Sequence, residues 1–295
     1  MNKIIINYLN DCVEFGINKY KLFLGNNFFK KHLIMQAIRQ YFYKNKVTEY
    51  NEYNNFSNQI LIDDYPIKTK DWLFFEVNNK YSLIDELKMN KKAILYKYIQ
   101  SALSNIEFED LTNTINMLIM DLNESILNEN VVVELGDIKV KTTLQLLNSK
   151  TISSLLDINF YKNDLEVNEF DLDYNEVINL QIELIRKTAE KTHDKNILVL
   201  LDLPILTNKI LVEVSKIKAY ILCFSNMVES NCKFDFDNVC YINNNVVDLY
   251  YDEYLYNNVV SELPFNITLQ ELKNEVLNLI FNKYNDKNCF INKFL

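Results

Sequence analysis

Ile197–Leu201, five apolar residues without a polar break and then Asp202 (ILVLLD), constrain the fold more than any other stretch of this chain. A run with no alternation reads as a strand buried on both faces, the form that parallel sheets take when helices cover each side. Tyr220–Phe224 repeats it, and Val239–Ile242 gives a third run. Thr207–Lys218, between the first two, reads as a helix, so this part of the chain is α/β.

The N-terminal part carries the same texture. Lys19 to Leu24 sets Lys19, Lys21 and Phe23 against Tyr20, Leu22 and Leu24, the period-two pattern of a half-buried strand. It stops at Gly25, and Phe28–Tyr43 then reads as a helix carrying Leu33, Ile34, Ala37, Ile38 and Tyr41. Gln59–Ile62 and Trp72–Val77 have strand length, separated by turn residues around Asp63, Asp64 and Pro66. From about Leu83 the period changes to three and four: Ile94 to Ile106 and Leu111 to Ile126 read as amphipathic helices. Val131–Val133 and Ile138–Val140 flank Gly136 and Asp137 as a hairpin or extended crossing, and Tyr174 to His193 reads as a third helix. A capping box at Thr268 and Glu271 opens a helical tail. The pattern predicts an α/β head from both chain ends (1–85 and 195–244), a helical insertion (86–194) and a helical extension (245–295). No internal repeat is evident.

Composition narrows the chemistry. Three Gly and three Pro in 295 residues leave little for glycine-rich nucleotide loops, and two histidines, His32 and His193, leave little for zinc or histidine catalysis. Cysteines at 12, 223, 232, 240 and 289 read as buried thiols of a reducing compartment. The N-terminal apolar run is too short for a secretory signal, and no stretch reaches the length of a membrane span. A cytoplasmic protein is expected.

Strand, Gly25, helix is where a phosphate-binding loop would stand. That loop needs G-x-x-x-x-G-K-[ST], whose backbone N–H groups wrap phosphate and whose hydroxyl reaches magnesium. Here Gly25 is followed by Asn26, Asn27, Phe28, Phe29, Lys30, Lys31 and His32, so a lysine replaces the second glycine and a histidine the hydroxyl residue. Asp202 closes its strand as a Walker-B carboxylate does, or as a structural carboxylate at a sheet edge. Together they suggest a P-loop-NTPase-like scaffold with a degenerate nucleotide site, binding no nucleotide. Lys30, Lys31, Lys91, Lys92, Lys97, Lys139 and Lys141 suit phosphate contacts, or form a solvated face on a chain of net charge −9. Carboxylates gather at Glu129, Glu134 and Asp137 and again at Asp164, Glu166, Glu169, Asp171 and Asp173, suiting Ca²⁺ or a solvated acidic loop. Tyr250, Tyr251, Tyr254 and Tyr256 read as core or subunit interface rather than a base-stacking platform.

ILIDDYPI and the helices after it, TINMLIMDLNESI, and the stretch NILVLLDLPILTNKILVEVSKIKAYILCFSN resemble the Csn-two family, the CRISPR-associated spacer-acquisition proteins of type II-A systems, in their longer form. The resemblance spans most of residues 1–245, with 245–295 matching the extension of long members. It implies a non-catalytic homotetrameric ring that binds the ends of double-stranded DNA through a lysine-lined hole and slides along the duplex. It also implies a role in antiviral defence beside the CRISPR integrase pair and the effector nuclease. Short members hold calcium through carboxylates where leg and head meet; the corresponding run here keeps Glu129, Glu134 and Asp137, with the 164–173 cluster as a substitute. A ring needs no base-reading side chains, which suits a chain whose arginines are Arg39 and Arg186 alone. Two rivals stand beside this expectation: an active P-loop-type nucleotide enzyme, and a helical protein–protein adaptor without DNA binding.

Overall fold

The apolar runs become neighbouring strands of one sheet. A computed structural model of the chain describes residues 2–8, 11–43, 59–128, 133–135, 138–140, 143–260, 263–283 and 290–293. In chain order its elements are β1 (Asn2–Tyr8), β2 (Asp11–Ile17), β3 (Tyr20–Leu24), α1 (Phe28–Tyr43), β4 (Ile60–Ile62), β5 (Tyr65–Pro66) and β6 (Trp72–Asn78). Next come α2 (Leu83–Leu87), α3 (Ile94–Leu103), α4 (Ile106–Asn128), β7 (Val133–Leu135), β8 (Ile138–Val140), α5 (Ser149–Leu155), β9 (Tyr161–Lys162) and β10 (Leu165–Glu166). The chain continues through α6 (Tyr174–Lys191), β11 (Asn196–Leu206), α7 (Asn208–Val214), β12 (Tyr220–Val228), β13 (Val239–Ile242), β14 (Val246–Asp248), α8 (Asp252–Asn258) and α9 (Leu269–Ile280).

Two compact units result, one of residues 1–81 with 172–295 and one of residues 82–171. Within the first, six strands lie in the order β14-β13-β3-β12-β11-β6. All neighbours are parallel except β14, which is antiparallel to β13. A second sheet, β2-β1-β4-β5, is antiparallel. Its first hairpin follows an alternation that the sequence carries in Ile4, Ile6, Tyr8 and in Val13, Phe15, Ile17, all buried. Helix α1 joins both sheets: Ile34, Met35, Ala37 and Ile38 share one apolar cluster with Ile4, Ile6 and Phe15 on one side and Phe23, Leu200 and Phe224 on the other. Phe23 and Phe224 stack with ring centres 4.3 Å apart.

Helix α6 begins with the capping box Asp173–Glu176 and buries Ile178, Ile182 and Ile185. Its Gln181 bonds both the N–H and the carbonyl of Asn78 at the end of β6, at 3.2 and 2.8 Å. That attachment places the helix with the sheet unit, so the division falls near residue 172 rather than at the expected 194. Residues of the expected extension also belong to this unit: Leu255, Leu272, Val276 and Ile291 are buried, and Lys273 of α9 pairs with Asp252 of α8 at 2.6 Å.

Lys21 departs from the half-buried pattern. Strand β3 is interior to the sheet and covered on both faces, so Lys21 is fully buried, in an ion pair with Asp248 and donating to the Asp237 carbonyl at 2.8 Å. The second oxygen of Asp248 accepts the Gly16 N–H at 2.7 Å, so the buried carboxylate ties β2, β3 and β14 together.

In the second unit α4 carries an unusual distribution. Asn116 and Asn123, two turns apart, each grip the backbone of the 143–147 segment twice, at Leu147 and Leu144, with distances of 2.6 to 3.0 Å. The apolar stripe of the same helix, Leu111, Ile115, Leu118 and Leu122, stays exposed.

One motif occurs twice, contrary to the expected absence of repeats. Hairpin β4–β5 turns at Asp63–Asp64 and hairpin β9–β10 at Asn163–Asp164, all four residues with positive φ of 50° to 66°. Each hairpin is followed by a short 3-10 turn, at Thr69–Asp71 and at Glu169–Asp171. Such two-residue turns twist with the strands they join, and Asn and Asp tolerate the left-handed backbone they require.

Candidate functional site

The place to test for a nucleotide is the carboxyl edge of the parallel sheet, where β3 runs through Gly25 into α1. Gly25 has φ of +104°, and a Cβ there would fall 2.3 Å from the Ile242 carbonyl oxygen at the end of β13. Only glycine fits this crossing. The loop beyond it is closed by its own bonds. The Asn27 N–H donates to the Ile242 carbonyl at 3.2 Å, and its side-chain amide to the Asn243 carbonyl at 2.8 Å. The Phe28 N–H donates to the Asn26 carbonyl at 3.1 Å and the Lys31 N–H to the Asn27 carbonyl at 3.1 Å. Asn27 also caps α1, its Oδ1 accepting the Lys30 N–H at 2.9 Å. Of the N–H groups that would wrap a phosphate, those of Asn27, Phe28, Lys30 and Lys31 are therefore already bonded.

The two lysines of the loop are committed too. Lys30 Nζ donates to the Asn244 carbonyl at 2.9 Å. Lys31 is buried and donates to the Ser225 carbonyl on β12 at 2.6 Å, which removes it from any surface role. Burial lowers its pKa from the ordinary 10.5 to about 8. Burial likewise pushes the neighbouring Cys223 thiol up to about 12, so it is protonated and unreactive at neutral pH.

Asp202 stands on β11 opposite Asn78 of β6 and Phe224 of β12. Its Oδ2 accepts from Arg39 of α1 at 2.9 Å, and Arg39 also pairs with Glu76 of β6 at 2.6 Å. Burial works against the Arg39 charge, but the hydrogen bonds it donates to Glu76 and Asp202, with their negative charges, outweigh it and leave its pKa above the ordinary value. Asp202 thus joins helix to sheet. The other arginine, Arg186, is held by Glu183 and Glu190 on α6, at 2.6 Å each.

The remaining expected residues fall in the second unit. Lys91 and Lys92 are exposed in the turn before α3, and Lys97 on that helix donates to the Lys92 carbonyl at 3.2 Å. The backbones of Glu134 and Lys139 face each other across the β7–β8 ladder. Glu129, Asp137 and Lys141 lie outside the described residues. In the 164–173 run Asp173 caps α6, Asp164 sits in the β9–β10 turn, and Asp171 accepts the Asn168 N–H at 2.9 Å. Among the described residues no three His, Cys, Asp or Glu converge as a metal site, and no helix is long and apolar enough to cross a membrane. Sequence reasoning missed the asparagines that close the site: Asn27, Asn243, Asn244, and Asn292, whose carbonyl accepts from the Asn243 amide at 2.8 Å. The NNN run at 243–245 was their one visible signal.

Comparison with known proteins adds a likeness of fold. The chain superposes on Stu0660 of Streptococcus thermophilus, known as a crystal structure, with a TM-score of 0.62, covering 98% of this chain and 94% of that one at 16% identity. No protein-family model matches the chain, and no curated protein matches it significantly.

Proposed function

We propose that this protein is a non-catalytic, ring-forming protein that binds the ends of double-stranded DNA in CRISPR spacer acquisition. The reading rests on the resemblance to the Csn-two family, and the end-to-end likeness to Stu0660 supports its fold part. It takes the sheet unit as a P-loop-NTPase-like head whose nucleotide site has degenerated, and residues 82–171 as the inserted leg. In support, the glycine-turn strand β3 and the carboxylate strand β11 flank β12 in a parallel sheet.

The observation that carries the reading against a nucleotide enzyme is the closed loop after β3. The N–H groups of Asn27, Phe28, Lys30 and Lys31 and both lysine ammonium groups bond carbonyls and Asn27 of the same unit, so a triphosphate would have to displace those bonds. The exposed apolar stripe of α4 supports assembly, because a contiguous apolar face of this kind is what an oligomer covers. The integrase pair and effector nuclease remain the proposed partners, and calcium a proposed cofactor at Glu129, Glu134 and Asp137.

Light scattering coupled to size exclusion tests this reading, with and without calcium and with linear or closed circular duplex. The expected result is a mass near four subunits that takes up linear duplex and leaves closed circles. Equal affinity for both DNA forms would remove threading, and a monomer indifferent to DNA would favour the adaptor. Micromolar ATP binding with magnesium, read by calorimetry, would restore the nucleotide enzyme.

A further inference from the structure

Three adjacent strands of the sheet are each entered from a lysine. Lys19 immediately precedes β3, Lys195 immediately precedes β11, and Lys218 stands two residues before β12. The strands lie in the order β3-β12-β11. Neighbouring strands are about 4.8 Å apart, so the row of lysines spans roughly 10 Å along the amino edge. All three line one open cleft of about 530 Å³, with His193, Glu190 and Tyr220.

The charges of this cleft are not spent on the fold. Lys19, Lys195 and Lys218 are exposed, and among the described residues they have neither an ion pair nor a side-chain hydrogen bond. The one acid lining the cleft, Glu190, is held by Arg186 at 2.6 Å. Helix ends do not account for the row either. A helix dipole acts within its last turn, whereas Lys195 and Lys218 each stand four residues beyond the ends of α6 and α7. A concave surface on which one sign of charge predominates, here three lysines against Glu190, focuses potential whatever the net charge of the chain.

We propose that this amino-edge cleft is where the chain meets the backbone phosphates of duplex DNA, a proposal that rests on the DNA-binding reading above. Lysines act on phosphate as point charges and read no sequence. The tyrosine of the cleft is not free to stack on a base. Its aromatic residue, Tyr220, lies against Trp72 with ring centres 5.6 Å apart, and its hydroxyl takes the Asn2 amide at 2.5 Å.

The test titrates linear duplex by fluorescence anisotropy between 50 and 200 mM salt, using the full chain and three triple variants. Lys19→Gln/Lys195→Gln/Lys218→Gln should bind at least about 100-fold more weakly at low salt and lose about 2.7 from the magnitude of the log K against log salt slope for each subunit whose cleft meets the duplex. The matching triple Lys→Arg variant keeps the charge and should keep the slope. Lys91→Gln/Lys92→Gln/Lys97→Gln serves as the comparison set. An unchanged slope in the amino-edge Gln variant, or an Arg variant as weak as the Gln one, would overturn the cleft while leaving DNA binding intact. A loss of slope confined to the Lys91, Lys92 and Lys97 variant would do the same. A wild-type chain that binds no linear duplex would overturn both the cleft and the reading it rests on.

Discussion

At the carboxyl edge of the sheet Lys30 and Lys31 donate to the main-chain carbonyls of Asn244 and Ser225, whereas at the amino edge Lys19, Lys195 and Lys218 keep their ammonium groups in solvent. The residue type and the sheet are the same, so the difference lies in the backbone around them. Beyond β13 the chain turns through Asn243–Asn245 and presents carbonyls to the loop after β3, where Lys30 meets that of Asn244 at the surface; the Ser225 carbonyl is buried and needs the donor that Lys31 supplies. At the amino edge the strands begin from short connections, and among the described residues no group bonds or pairs with these lysine side chains. A lysine pair beside a glycine turn is thus poor grounds for a phosphate site until the carbonyls near it are known.

The first way to break this contrast is to force the carboxyl edge open. Gly25→Val sets a branched side chain at φ of +104° against the Ile242 carbonyl. The combined backbone strain and overpacking should cost about 3–5 kcal/mol, read as a lower thermal midpoint. A loss under about 1 kcal/mol would mean that the loop yields easily and that its closure is no barrier to phosphate.

Lys31 gives the next effect, in its pH dependence. Below its folded pKa of about 8 both folded and unfolded chains hold the proton, and the folded chain bears the full cost of a buried charge. Between about 8 and the ordinary 10.5 the folded chain has released it and the unfolded chain has not, so stability rises with pH through that window. The rise amounts to roughly 3 kcal/mol. Subtracting the pH profile of Lys31→Met from that of the wild type isolates it. Parallel profiles would show that Lys31 is hydrated, and so available to a ligand after all.

Much of the sheet was legible because its strands are extreme. ILVLL and Tyr220–Phe224 have no polar alternation, and α1, α6 and α9 announce themselves by period and cap. Lys21 was illegible for a physical reason: its partner Asp248 is 227 residues away, and only the strand order brings them together. The site was half legible. Gly25 and the absence of a second glycine already spoke against a nucleotide. The closing carbonyls come from a loop more than 200 residues on, and an asparagine run in an asparagine-rich chain draws no notice. The amino-edge lysines were invisible for the same reason, since Lys19, Lys195 and Lys218 are neighbours only through the sheet.

Arg39 sharpens the account of Asp202. Arg39→Met leaves Glu76 and Asp202 facing each other without their shared cation, and should cost about 1–3 kcal/mol, reduced by solvent at the half-exposed Asp202. Asp202→Asn, which keeps an acceptor for Arg39 and leaves Glu76 in place, should cost less than about 1 kcal/mol. A reversed order would mark Asp202 as the member that matters and reopen its reading as a ligand carboxylate.

The smallest effect on stability is expected at the amino edge, and its smallness is informative. Lys19, Lys195 and Lys218 pair with nothing among the described residues, so replacing all three by Gln removes no attraction and relieves mutual repulsion. Exposed substitutions of this kind stay within about 0.5 kcal/mol each, and here the sign should be neutral to stabilising. Raising the salt should shrink the gain, because screening already quiets repulsion between exposed charges over a distance of about 10 Å at 0.1 M. Melting curves of wild type and triple variant at low and high salt measure both quantities. A clear loss of stability would mean that these lysines hold the strand entries in place, and the two edges of the sheet would then differ in degree rather than in kind. A neutral or positive shift means that the fold gains nothing from three clustered charges, so that the two edges differ in kind and the salt dependence of duplex binding decides whether the cluster meets phosphate or is a solvated face.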